Sequence, residues 1–259
     1  MEILYDGITD NGLKRNVNQD AIGMFCHGEV GLYFVADGMG GHANGEAASG
    51  MIQDGMSRWW QEQKNSWDPR RFEDYMETLN QKLLEVNRGI WEKYNQDQIC
   101  GSTVIILFLC YEKYGVLSVG DSRIYSYELG KVRQLAVAHV WENLDETKRR
   151  YTVEERKKHK YYGKLIQAVG AEESVDIFRC TDCLKKNQKF LLCSDGLYRY
   201  CEEDKVIQHI SNVKKTEDIR SALNKLREEV YTNGAPDNLS AIIVYCKNKT
   251  PVMFDWFIR

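Results

Sequence analysis

Proline is scarce in this chain, with three residues in 259, and no glycine- and serine-rich or single-residue tract divides the sequence. Nothing therefore marks a linker between two domains. One domain is expected over residues 1–248, followed by a short aromatic tail at 249–259. Long apolar runs are missing as well. No stretch approaches the roughly 18 uninterrupted apolar residues of a spanning helix, and the longest run, Val104 to Cys110, suits a buried strand. The opening residues, Met1-Glu2-Ile3-Leu4-Tyr5-Asp6, lack the basic and apolar segments of a signal peptide. A cytoplasmic protein without membrane contact is expected, its eight cysteines reduced. Nor does charge of one sign dominate. A formal net charge of -3 and a pI near 6.0 give no global attraction to nucleic acid or anionic lipid. A second CxxC is also absent, so Cys180 and Cys183 do not make the four-ligand set of a structural zinc site. Cys110, Cys193 and Cys246 lie in or beside apolar strands and read as small core residues.

What is present is enough apolar residue, 43% of the chain, for a sizeable core. Helical periodicity appears in three places. Ala47, Ala48, Met51, Ile52 and Trp59 give one face; Phe72, Tyr75, Met76, Leu79, Leu83, Asn87, Ile90, Trp91 and Tyr94 a longer one; Ile219, Ala222, Leu223, Leu226 and Val230 a third. Strands are expected at Leu32–Ala36, Thr103–Cys110, Gly115–Val119, Ile124–Tyr127, Lys189–Cys193 and Ser240–Cys246. This order lacks the regular alternation of a doubly wound parallel sheet. Consecutive strands with short connections favour antiparallel pairing, with helices on the outer faces.

Aspartates stand where these apolar strands run out. Asp37 ends the run Gly31 to Ala36 and opens Asp37-Gly38-Met39-Gly40-Gly41-His42. Asp121 follows Val116 to Gly120, Asp195 follows Phe190 to Ser194, and Asp237 precedes Leu239 to Tyr245. Asp20 closes Arg15-Asn16-Val17-Asn18-Gln19-Asp20. A buried strand holds its last side chain rigidly, and a following glycine admits close backbone approach. Carboxylates gathered this way stay ionised together only when cations neutralise them, which points to a hard-metal site.

Taken in order, Arg15-x4-Asp20, the Asp37–His42 block, Gly101-Ser102-Thr103, Gly120-Asp121-Ser122-Arg123, Ser194-Asp195-Gly196 and Asp237-Asn238 closely resemble the type 2C, metal-dependent protein phosphatases, particularly their bacterial single-domain members. The resemblance runs from about Tyr5 to Cys246. It implies an α+β fold, a four-layer α-β-β-α sandwich with two central, mostly antiparallel sheets. It also implies hydrolysis of phosphoserine and phosphothreonine by a water activated between two magnesium or manganese ions, which sit roughly 3.5–4 Å apart in such centres. On the matching positions, Asp37 would bridge the ions and Gly38 would offer its backbone carbonyl. Asp195 and Asp237 would serve one ion, and Asp20 the other, often through water. Asp121 matches the ligand of a third, weaker ion, or else caps a strand end as a turn residue. Arg15 matches the phosphate-binding arginine, with a surface ion pair as the plainer alternative. His42 would protonate the leaving group or merely orient the glycine-rich turn. Ser102 and Thr103, with no His/Asp pair beside them in the motif, suit packing or hydrogen bonding at a strand start.

The pattern fails in one place. Where members often carry Thr-x-Asp-His, this chain has Ala136-Val137-Ala138-His139. Gln19 stands where many have Glu, and Ser240 keeps the hydroxyl of a common Thr. The charged segment from Glu142 to Lys164 is either a solvated face or a basic flap beside the acidic centre. The expected partners are phosphorylated proteins and a cognate Ser/Thr kinase, and the expected state is a monomer. Two other functions stand against this reading: an impaired member that binds phosphoproteins as a regulator, and a nucleic-acid binder acting through Lys148–Lys160. The overall negative charge and the lack of interleaved aromatics disfavour the last.

Overall fold

The computed structural model describes residues 1–40, 44–64, 67–94 and 100–248. His42 and the 249–259 tail therefore lie outside the described residues. In chain order the strands are β1 (Glu2–Asp10), β2 (Asp20–His27), β3 (Val30–Gly40), β4 (Cys100–Ser102), β5 (Val104–Cys110), β6 (Lys113–Val119), β7 (Arg123–Glu128), β8 (Lys131–Gln134), β9 (Phe178–Cys183), β10 (Lys189–Cys193) and β11 (Leu239–Lys247). The helices are α1 (Asn44–Gln63), α2 (Phe72–Tyr94), α3 (Asp145–Arg150), α4 (Val153–Lys157), α5 (Asp195–Tyr198), α6 (Glu203–Ser211) and α7 (Thr216–Thr232).

Two sheets form, one in the order β1-β11-β10-β7-β8 and the other β2-β3-β5-β6-β9, with β4 paired to β3. Every strand pair in them is antiparallel. The period of two in each strand explains the layering. From β3, Tyr33 and Val35 point between the sheets, while Leu32, Phe34 and Ala36 point out toward α1 and α2. β5 repeats this with Ile105, Leu107 and Leu109 inward and Val104, Ile106 and Phe108 outward. On the other sheet, Ile242 and Val244 of β11 face inward, while Ala241 and Ile243 meet Leu223, Leu226 and Val230 of α7. Strands covered on both faces read as unbroken apolar runs, which is why these were visible in the sequence. The result is the expected α+β arrangement of two antiparallel sheets between helical layers.

The CxxC falls on β9, an edge strand of its sheet. Residues three apart on a strand point to opposite faces. Cys180 packs against the inter-sheet core, and Cys183 is exposed. The two thiols do not share a site. No helix among the described residues is long and apolar enough to cross a membrane.

Candidate metal centre

The register of β2 on β3 sets Asp20 directly opposite Asp37. Both follow the parity of residues that face the other sheet, Ile22 and Met24 on β2 and Tyr33 and Val35 on β3. The two carboxylates therefore point into the same end of the inter-sheet cleft. Asp37 is pinned at both backbone groups: its N–H donates to the Thr103 carbonyl at 3.3 Å, and its own carbonyl accepts from the Thr103 N–H at 2.8 Å. Thr103 in turn meets the Ser122 hydroxyl at 2.7 Å, the strand-start hydrogen-bonding role expected of it.

The glycine after Asp37 is required by close approach. A Cβ on Gly38 would lie 2.1 Å from the Gly45 carbonyl oxygen and 2.6 Å from that of Gln19. The same holds after Asp195, where a Cβ on Gly196 would sit 1.8 Å from the Asn238 carbonyl oxygen. Gly196 thus lets the Asp237-Asn238 turn lie against α5. Asn238 ties this turn to the N-terminal loop: it accepts from the Gln19 N–H at 2.9 Å, and its amide donates to the carbonyls of Asn11 and Val17 at 3.1 and 2.9 Å. Two residues from opposite ends of the chain, Arg15 and Asp237, meet through this clamp in an ion pair of 2.9 Å.

The sheets are joined across the cleft by Ser194, whose Oγ donates to Asp20 Oδ2 at 2.9 Å and accepts from the Ser240 N–H at 3.0 Å. The other oxygen of Asp20, Oδ1, is buried without a hydrogen-bond partner. An orphaned buried carboxylate oxygen is a costly arrangement for protein groups alone. The protonation balance points the same way. Burial pushes the Asp20 carboxyl up to about 6, opposed by the Ser240 and Ser194 hydroxyls and aided by Asp195 and Asp237. Burial, then the charges of Asp20, Asp195, Asp121 and Asp237, drive Asp37 well above the ordinary carboxylate range. Burial raises Asp195 too, against the pull of Arg199. These mutual effects place the five aspartates in one electrostatic cluster.

Among the described residues no three His, Cys, Asp or Glu side chains form a ready-made metal cage. Hard cations that keep several waters do not need one. The donors present, carboxylate and backbone oxygen, fit magnesium or manganese and not zinc.

Asp121 is placed differently from the other four. It follows Gly120, which takes a φ of +97°. Its Oδ2 accepts from the Tyr198 hydroxyl at 3.0 Å and from Arg199 at 3.1 Å. His139 holds the loop that carries it: the Gly120 N–H donates to His139 Nδ1 at 3.1 Å, and the His139 N–H donates to the Gly120 carbonyl at 2.8 Å. Burial lowers the pKa of this imidazole, consistent with the neutral acceptor that the first bond needs. Ser194, Tyr198, Arg199 and the clamp of Asn238 were not singled out as functional in the sequence. Ser194 and Asn238 stand inside motif blocks without an assigned role, and for Arg199 the signal is its spacing, four residues after Asp195.

A cavity of about 690 Å³ opens beside Asp121, lined by Arg123, Ala136, Ala138, Tyr198 and Arg199 among others. The 142–164 segment borders it through Glu142, Asn143, Tyr162 and Gly163, and so does lie beside the acidic cluster. Its basic runs do not line the cavity; Lys148, Arg149, Arg150, Lys157, Lys158 and Lys160 are exposed. The segment is closed by its own contacts, with Trp141 stacked on His159 at 4.1 Å and the Gly163 N–H donating to Glu142 at 2.8 Å.

A family model described as Protein phosphatase 2C matches residues 13–233. Serine/threonine phosphatase stp of Listeria monocytogenes serotype 4b is 27% identical over 241 residues, which cover 91% of this chain and 93% of that protein. The S. agalactiae serine/threonine phosphatase superposes with a TM-score of 0.81 at 26% identity, covering 95% of this chain and 100% of that one. The catalytic domain of the phosphatase PstP, solved in complex with two manganese ions, shares the fold with a TM-score of 0.77 at 22% identity, over 95% and 99% of the two chains.

Proposed function

We infer that this chain, which belongs to the protein phosphatase 2C family, hydrolyses phosphoserine and phosphothreonine in proteins at a centre of two magnesium or manganese ions. It is a metal-dependent phosphoprotein phosphatase. The observation that carries the mechanism is the facing pair Asp20 and Asp37 in the inter-sheet cleft, with Asp20 Oδ1 buried and unpartnered. Asp37 would bridge the ions beside the Gly38 carbonyl, Asp195 and Asp237 would serve one, and Asp20 the other through water. When bound, such ions supply a water of lowered pKa and neutralise charge developing on the phosphoryl oxygens.

The remaining work falls to the chain's own residues. Ser194 fixes which oxygen of Asp20 is free, by holding the other. Arg15, half exposed at the cleft mouth, would be the phosphate ligand: its planar fork, here paired with Asp237, can hold two phosphoryl oxygens when Asp237 serves an ion. His42, which lies outside the described residues, is assigned the leaving-group proton. The domain proposed to do this is residues 1–248. Its substrates would be products of a Ser/Thr kinase, met by a monomer in the cytoplasm.

Phosphate release from phosphothreonine and phosphotyrosine peptides, with manganese, magnesium or chelator, tests the reading. Turnover of phosphothreonine that stops in chelator is expected. Turnover without metal would overturn the mechanism, a preference for phosphotyrosine the substrate class, and inertness toward every peptide would leave the regulator.

A further inference from the structure

Arg199 bridges two members of the acidic cluster. Its Nη2 lies 3.1 Å from Asp121 Oδ2, and its Nε lies 3.1 Å from Asp195 Oδ2. The backbone sets this up: the Arg199 N–H donates to the Asp195 carbonyl at 3.0 Å, so the side chain returns along the turn that carries its partner. Tyr198 donates to the same Asp121 oxygen, and the Arg123 guanidinium stacks 3.6 Å from the centroid of the Tyr198 ring. Asp121 itself is 6% exposed. A cation bridging Asp121 and Asp195 through these oxygens would have to take them from the guanidinium.

Charge leads to the same place. Five carboxylates, Asp20, Asp37, Asp121, Asp195 and Asp237, act on one another here. Once Arg15 has turned from Asp237 to phosphate, two divalent ions and the Arg199 guanidinium would neutralise them. A third divalent ion would leave the cluster with two excess positive charges unless Arg199 were expelled, and Ala136 and Ala138, lining the same cavity, bring no side-chain oxygen to hold it.

We propose that Arg199 takes the place of a third cation, bridging Asp121 to Asp195 and closing Asp121 to metal. Arg199 is then a positioning residue that holds Asp195 for its ion by a contact independent of metal supply. This rests on the two-ion reading above.

Manganese titration calorimetry, with free manganese counted by electron paramagnetic resonance up to millimolar concentration, tests it. Wild type should bind two ions, and Asp121→Asn should leave that count unchanged. Arg199→Ala should gain a third ion, at least tenfold weaker than the first two, and the double variant Arg199→Ala/Asp121→Asn should lose it again. A third ion in wild type that Asp121→Asn abolishes overturns the proposal, as does a folded Arg199→Ala, checked by its melting curve, that still binds only two. Should Arg199→Ala fail to fold, the comparison of wild type with Asp121→Asn decides alone. A wild type that binds no ion refutes the metal centre itself, an outcome distinct from either count.

Discussion

Asp20→Asn should make the metal-free protein more stable while weakening its response to metal. Burial lifts the Asp20 carboxyl from an ordinary 3.8 to about 6. The native state therefore holds this proton longer than the unfolded chain does. Stability is greatest below the unfolded value and falls as pH rises through the folded one. Completed, that fall is worth roughly 3 kcal/mol, at 1.36 kcal/mol per pKa unit. Asparagine cannot ionise, and its carbonyl oxygen can still accept from Ser194 Oγ. The amide nitrogen takes the place of the unpartnered Oδ1, and a buried donor left without an acceptor costs about 1–2 kcal/mol. The net gain near neutral pH is then roughly 1–2 kcal/mol, which in a chain of this size raises Tm by about 2–8 °C.

Thermal melts in chelator at about pH 7.5 and about pH 5 read this directly. The variant's advantage should shrink by about 1 kcal/mol at the lower pH, where native Asp20 is mostly protonated already. Saturating manganese should reverse the order. An ion at about a hundred times its Kd stabilises wild type by about 2.7 kcal/mol, and the variant loses much of that share. An Asp20→Asn protein that melts lower than wild type in chelator at neutral pH refutes the reasoning. So does an advantage that does not change with pH.

Four further outcomes follow from the same geometry. Asp37→Ala or Asp195→Ala should abolish nearly all phosphopeptide turnover in saturating manganese, because each would remove a proposed oxygen ligand of the centre. Arg15→Ala should lower kcat/KM roughly tenfold to a hundredfold while manganese affinity, read by calorimetry, stays within a few-fold, since its assigned partner is phosphate. Gly196→Ala places a Cβ 1.8 Å from the Asn238 carbonyl oxygen. It should cost roughly 1–3 kcal/mol in a thermal melt and weaken metal binding by displacing the Asp237 turn. Restoring the family pattern with Ala136→Thr and Ala138→Asp should change kcat/KM with phosphothreonine peptides by on the order of tenfold and no more, as expected for groups outside the main ligand set.

The strands that could be read in the sequence are the inner ones of both sheets. β3, β5, β6, β7, β10 and β11 each have a neighbour on either side. The edge strands β1, β2, β8 and β9 were not read, for a physical reason. An edge strand has one free side and carries polar residues there, as Arg133 and Gln134 do on β8 and Asp182 does on β9. In β1 and β2, exposed and half-buried residues blur the alternation that marks a strand. Asp20 is marked in the sequence by its spacing from Arg15, not by a strand pattern. Its pairing with Asp37 is a matter of register, which a chain read in one dimension does not contain. The fold of α5 was likewise hidden: four residues are too few for a periodic signal, yet they bring Arg199 back onto Asp195.

The departures from the family pattern and the unread residues fall in one spot. Ala136, Ala138, Tyr198 and Arg199 all line the cavity beside Asp121. Two small apolar residues there bring no side-chain oxygen to Asp121, and Arg199 supplies a positive charge that needs no cation. Asp195 couples this edge to the rest of the centre. It faces Arg199 at 3.1 Å through Oδ2, and the charge of Asp37 acts with it in the same cluster. A substitution at Arg199 should therefore be felt at the two main ions through the aim of Asp195, whereas a substitution at Asp121 removes a partner of the arginine and leaves its contact with Asp195 in place. That asymmetry separates a guanidinium that positions a ligand from one that merely fills space.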